Sequence, residues 1–182
     1  MQMIRRHFSG FTLVELSVVL AVMAIIATFA TPSFVAWHLR DQVDARARAL
    51  FSTLSLARSE AVRRGARVTL CRIDAARRCL APGKNCDGGA ADWSCGWALF
   101  VERDGAPMLL RAQSSLPSIA IAGAATDLSF TPPSGQVIGG FRSFDFSARN
   151  SRLAASVGSN RCVRLAAGGR ARMTQGACGA AA

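Results

Sequence analysis

Residues 11–37, "FTLVELSVVLAVMAIIATFATPSFVAW", are apolar throughout except for Glu15 and a few hydroxyls. A run of this length is long enough to cross a bilayer as a helix. Glu15 is the only acidic residue among the first forty. An ionised group at membrane depth costs about 2.5–3.5 kcal/mol on insertion scales. Whatever places Glu15 there must offset that cost.

Ahead of the apolar run lies "MQMIRRHFSG", which is short, polar and basic. Arg5 and Arg6 hold this end on the cytoplasmic side by the positive-inside rule. An ordinary signal peptide would be cut after the apolar region, near Ala30, and a plain anchor would keep the whole segment. Neither has a use for Glu15. The ungapped stretch "GFTLVEL" (10–16) resembles the type IV pilins and pseudopilins. The resemblance implies that a prepilin peptidase cuts after Gly10 and methylates the new terminal amine of Phe11. It also implies that Glu15 pairs with the N-terminal amine of a neighbouring subunit during assembly. A buried carboxylate requires such a positive partner. Removal of Arg5 and Arg6 lowers the formal side-chain charge from +11 to +9.

Beyond Pro32, which is expected to bend or break the helical ladder, the pattern changes. Val43, Ala47, Leu50, Leu54, Ala57 and Ala61 recur at helical spacing and form one face. Arg46, Arg48, Arg58, Arg63 and Arg64 lie largely off it. The spacing predicts one helix over 12–64, stopped by Gly65. Its first half is apolar all round, and its second half is amphipathic and packs on a head. Glu60 reads as a solvated or locally paired helix residue. The head reads as strands at 67–73, 119–122, 127–130, 141–147 and 161–165, with a hairpin over 97–112 turning at Asp104-Gly105. Pro132, Pro133 and Gly135 mark a turn. Trp93 and Trp97 read as core. The fold class is α+β: a long N-terminal helix, half transmembrane and half amphipathic, packed on a β-sandwich-like head. The domains are a leader, 1–10, a transmembrane and assembly helix, 11–37, and a head, 38–182, with a basic tail from 146.

Within the pilin class, "ARSEAVRRGARVTLC" (57–71), "DWSCGWALF" (92–100) and "SFTPPSGQV" (129–137) resemble the FimT/GspH-like minor pilins, whose fold is a helix on a β-sandwich-like head. The resemblance implies an inner-membrane protein with a single span and a periplasmic head that later joins a pilus. Its partners are the prepilin peptidase and other pilin subunits.

Six cysteines, at 71, 79, 86, 95, 162 and 178, include no C-x-x-C pair, which argues against zinc. Behind an export segment they read as disulfides. Cys162–Cys178 is expected, with Cys71–Cys79 and Cys86–Cys95 as one of three pairings open to the other four. No metal-ligand cluster, phosphate loop or nucleophile motif appears, and the reading is of a non-enzyme without cofactor.

The basic charge is arginine, 21 residues against the single Lys84. From residue 146 onward there is no Asp or Glu, while Arg149, Arg152, Arg161, Arg164, Arg170 and Arg172 all fall there. Cys162 and Cys178 bracket "VRLAAGGRARMTQGA". A bond between them would present Arg170 and Arg172 on a loop, with Gly168 and Gly169 allowing close approach. "GRAR" (169–172) resembles the G-R-x-R motif of FimT proteins, which implies DNA binding and DNA uptake in natural transformation. Arg161 and Arg164 are expected to assist. No aromatic residue follows Phe146, so contacts are expected to go to phosphate with little sequence preference. The rival reading is a GspH-like pseudopilin of type II secretion that does not bind DNA, its arginines a solvated face.

Overall fold

The computed structural model describes residues 12–81, 84–86, 88–89, 91–103, 105–123, 125–149 and 160–179. Gly10 and Phe11, at the expected cleavage site, lie outside the described residues, as do Asp104 of the expected hairpin turn and Arg152 of the tail. The chain divides into two compact units, Met1–Trp37 and His38–Ala182.

One helix, α1 (Leu13–Arg64), contributes to both. It starts where Thr12 Oγ1 accepts the Glu15 N–H at 3.2 Å, an N-cap of the ordinary kind. Glu15 thus stands in the first turn, where the helix dipole favours a negative charge. The Thr12-x-x-Glu15 spacing is that of a capping box. In this unit Leu13, Val14, Leu16, Val18, Leu20, Met23, Ile25 and Ile26 are all exposed. The hydroxyls of Ser17, Thr28 and Thr31 donate to carbonyls three or four residues earlier. Those polar groups therefore need no outside partner. Among the described residues, no single helix is long and apolar enough to cross a membrane. Leu13–Thr28 and Ser33–Arg64, separated by a break that includes Pro32, pass that test as a pair.

In the second unit the helix is one-sided. Val43, Ala47, Leu50, Leu54, Ala57 and Ala61 are all fully buried, the face that the spacing marks out. Gly65 stops the helix at φ 61°, the left-handed conformation glycine adopts at no cost. Two antiparallel sheets follow. The first has strand order β3-β2-β1-β5-β6, from β1 (Val68–Arg72), β2 (Gly96–Arg103), β3 (Ala106–Ser114), β5 (Asp127–Thr131) and β6 (Gln136–Val137). The second has order β4-β7-β8-β9, from β4 (Ile119–Gly123), β7 (Arg142–Ala148), β8 (Arg161–Leu165) and β9 (Ala171–Gln175). Two strands, β6 and β9, are additional to those the sequence suggests.

One core takes the helix stripe together with Val68, Leu70, Leu99 and Phe130 of the first sheet and Ile121, Phe144, Phe146, Val163 and Leu165 of the second. Trp93 and Trp97 lie within it. Trp93 donates to the Ala125 carbonyl at 2.7 Å and meets Phe144 edge-on, ring centroids 5.1 Å apart. Each tryptophan is thereby accounted for by packing.

The loop between β1 and β2 is held from inside. Arg72, 3% exposed, donates to the carbonyls of Asp92 and Lys84 at 3.2 and 3.3 Å. Asp92 accepts from the Gly88 N–H and from the Ser94 N–H and hydroxyl, each at 2.8 Å. Burial pushes the Asp92 carboxyl up, but these hydrogen bonds outweigh it and hold the group below its ordinary value. Cys71–Cys79 and Cys86–Cys95 disulfides tie the same loop.

Candidate nucleic-acid interface

The two faces of β7, β8 and β9 differ in chemistry because successive strand residues point to opposite sides. Phe144, Phe146, Val163 and Leu165 fill the inner face, and Ala171 and Met173 pack against the same core. Ser143, Asp145, Arg164 and Arg172 therefore fall on the outer face. The register sets Arg164 directly across from Arg172, with Ser143 on the far side of Arg164.

Arg170 lies just before β9. Its carbonyl accepts the Ala166 N–H at 3.0 Å, so the hairpin continues one pair beyond the named strands. Arg170 and Arg172 are two residues apart on extended backbone and share the outer face. Arg164, Arg170 and Arg172 are all exposed. None makes an ion pair with any described residue. The carboxylate nearest by register, Asp145, accepts the Cys178 N–H at 2.8 Å. The Cys162–Cys178 disulfide, with Cα atoms 4.9 Å apart, anchors the segment after β9 to this face. The expected loop is therefore a hairpin, with Arg172 on β9 and Arg170 immediately before it.

Two expectations for this region change. Gly169 does not offer close approach to an outside backbone. It is buried, with φ 75°, and a Cβ there would collide with the Gly135 carbonyl oxygen. The Arg58 side chain lies beside both glycines. Gly169 thus seats the hairpin turn on the β5–β6 turn and the helix, an attachment reinforced by the Val137 N–H donating to the Ala167 carbonyl at 2.9 Å. Gly168 is the open one, with nothing within 4 Å of a Cβ built there.

Arg161 is the second change. It faces inward and donates to Asp44 of α1 at 2.8 Å, with only 12% of its side chain exposed. Asp44 also accepts from Arg48 at 2.7 Å. Burial raises the Asp44 carboxyl, but the hydrogen bonds from Arg161 and Arg48 more than offset this and hold it low. Arg161 is part of the head's internal wiring and is not grouped with the other three arginines.

The helix arginines also divide. Arg46 is 5% exposed, lies 4.6 Å from the Trp97 ring centroid and donates to the Ser114 carbonyl. Burial pulls its guanidinium down to about 10. Arg58 is half-buried, so it does not simply face solvent. Arg63 and Arg64 share Glu60 and keep its carboxyl below the ordinary value. Among the described residues, no group of three His, Cys, Asp or Glu side chains is placed to hold a metal.

Residues 46–169 match the family model described as Type II transport protein GspH. The chain belongs to the GspH family. Residues 5–31 match the prokaryotic N-terminal methylation motif, which spans Gly10, Phe11 and Glu15. No curated protein sequence matches. Two crystal structures of the type IV minor pilin FimU from Pseudomonas aeruginosa share the fold of this GspH-family chain. One is 18% identical with TM-score 0.51, covering 72% of this chain and 91% of FimU. The other is 19% identical with TM-score 0.53, covering 74% and 90%. The GspH-family chain is thus type IV pilin-like, and the GspH match ends at Gly169, just before Arg170 and Arg172.

Proposed function

We propose that this GspH-family protein is a FimT-like minor pilin that captures DNA for uptake in natural transformation, through Arg164, Arg170 and Arg172. The observation that carries this reading is the Arg164–Arg172 pair. Like charges directly opposite each other across two strands oppose folding. Here neither makes an ion pair with a described residue, and the nearest carboxylate by register, Asp145, accepts the Cys178 N–H. A polyanion neutralises them, and Arg170 extends the patch along one edge. Phosphate contacts of this kind release counterions and carry no base information.

The N-terminal unit fits delivery of such a head to a filament. Prepilin peptidase would remove 1–10 after Gly10 and methylate Phe11. The apolar helix would hold the protein in the inner membrane with its head, 38–182, in the periplasm until assembly with other pilins. Exposed apolar side chains from Leu13 to Ile26 require lipid or neighbouring helices around them. Glu15 would meet the methylated amine of a neighbour. Mass spectrometry of the mature protein should show N-methylated Phe11, and a start near Thr31 would contradict this processing.

The second reading is a pseudopilin of type II secretion that binds no DNA, and the GspH family match favours it. Retention of labelled duplex DNA by the full chain separates the two. Capture by the unaltered protein, abolished in an Arg170→Glu, Arg172→Glu variant, supports the first. No capture at low salt replaces it with the second.

A further inference from the structure

Phe141 is 69% exposed, although the aromatic residues of β7 that follow it, Phe144 and Phe146, are fully buried. It follows Gly139 and Gly140, both at positive φ (96° and 82°), and immediately precedes β7. Phe144 and Phe146 face inward, so continuing the same alternation places residue 141 on the outer face. The β7–β8 register pairs Arg142 with Leu165. One step further sets Phe141 beside Ala166, whose N–H donates to the Arg170 carbonyl. With strands about 4.8 Å apart, Phe141 and Arg170 are separated by about 10 Å across the sheet. Arg164 and Arg172 form the next outward row. The aromatic platform missing from the tail is therefore supplied from before it in sequence.

We infer that the preferred ligand of this surface is a single DNA strand, with one base stacked on Phe141 and its backbone lying over Arg164, Arg170 and Arg172. This rests on the DNA-capture reading above and goes further by naming the form of DNA. A basic track beside an exposed ring is how sequence-tolerant single-strand sites are built, because every base has a π-face. In a duplex the bases are already stacked on each other, and bringing one to Phe141 would require extruding it. Ile138, three residues earlier in the chain, is also exposed, at 57%. Such a pair also suits a contact between pilin subunits, and the test separates the two.

The full chain, held in nanodiscs of zwitterionic lipid, is titrated at low salt against three labelled probes by fluorescence anisotropy. The probes are oligothymidylate, an abasic strand with the same number of phosphates, and a duplex of the same length. Oligothymidylate should bind about tenfold tighter than the abasic strand. Phe141→Ala should bring it down to the abasic level while leaving abasic and duplex affinities unchanged, and Phe141→Trp should restore the preference. Because Phe141 is largely exposed, circular dichroism of the variants should match the unaltered protein. Equal affinity for oligothymidylate and abasic strand, or insensitivity of oligothymidylate binding to Phe141→Ala, overturns the inference while the DNA-capture reading stands. In that case Phe141 and Ile138 belong to a subunit contact. Failure to bind any probe overturns both. Arg170→Ala with Arg172→Ala should weaken all three probes, which distinguishes lost phosphate contacts from lost stacking.

Discussion

Arg161 and Arg164 stand three residues apart on β8, yet one faces the helix and the other the solvent. The inward arginine is used by the protein itself, paired with an Asp44 that is itself held low by its arginines. Arg164 lies across from a second arginine and makes no ion pair with any described residue. The same contrast runs through the head. Arg46 stacks over Trp97 and Arg72 pins the cysteine loop, while Arg170 and Arg172 do neither. These arginines thus fall into two populations, told apart by whether the side chain meets a partner within the chain. Charge that serves folding has a partner within the chain. On the proposed reading, charge on the outer face of the second sheet meets a partner outside the chain.

If this division is right, damage to the inner face should cost stability and damage to the outer face should cost binding alone. The largest effect is expected for Phe144→Ala, which empties the space against Trp93 and should cost about 3–5 kcal/mol in chemical denaturation. Loss of the Cys162–Cys178 bond through a double Cys→Ser variant should cost about 3 kcal/mol, since a loop of this length restrains the unfolded chain by about that amount. Non-reducing peptide mapping of exported protein should recover that bond, and free thiols there would contradict it. Gly169→Val should cost about 1–3 kcal/mol, because the left-handed backbone and the Gly135 carbonyl both oppose a side chain. Gly168→Ala, at the open position, should leave stability unchanged and serves as its control.

Asp44→Asn should cost about 1 kcal/mol, at the upper end for a pair that keeps some solvent. Its pH signature follows from the direction of the shift. The folded carboxyl is held below its unfolded value of 3.8, so its contribution is present above that pH and is lost as the pH falls through the lower folded value. Acid unfolding of the unaltered protein should therefore steepen below about pH 4, and Asp44→Asn should flatten that limb. An unchanged acid limb would mean that Arg161 is not fixed by Asp44.

Much of the architecture is legible in the sequence because periodicity reports burial directly. The six-residue stripe from Val43 to Ala61 is fully buried, and α1 ends at Arg64 before Gly65. Most strands could be read from β-branched and aromatic runs. β9 could not. Its inward residues are only Ala171 and Met173, too weak an apolar alternation to stand out beside Gly168 and Gly169. The signal was the spacing itself, Ala-Arg-Met-Thr after a double glycine. The fates of Arg46 and Arg161 were hidden for a different reason. A charged residue reads as exposed unless its partner is known, and Asp44 lies 117 positions from Arg161. Phe141 is not legible in the sequence as a companion of the tail, because register and not sequence proximity brings it there.

The central claim is that Arg164, Arg170 and Arg172 meet phosphate. The salt dependence of duplex DNA binding tests it most directly, since it counts the phosphates neutralised. Each contact contributes about 0.9 to the slope of log affinity against log salt concentration. Replacing all three arginines by alanine should reduce the slope by about 2.7, equally on unrelated sequences, and should change stability by less than about 0.5 kcal/mol. An unchanged slope in a folded triple variant would contradict the account and place the DNA on another surface.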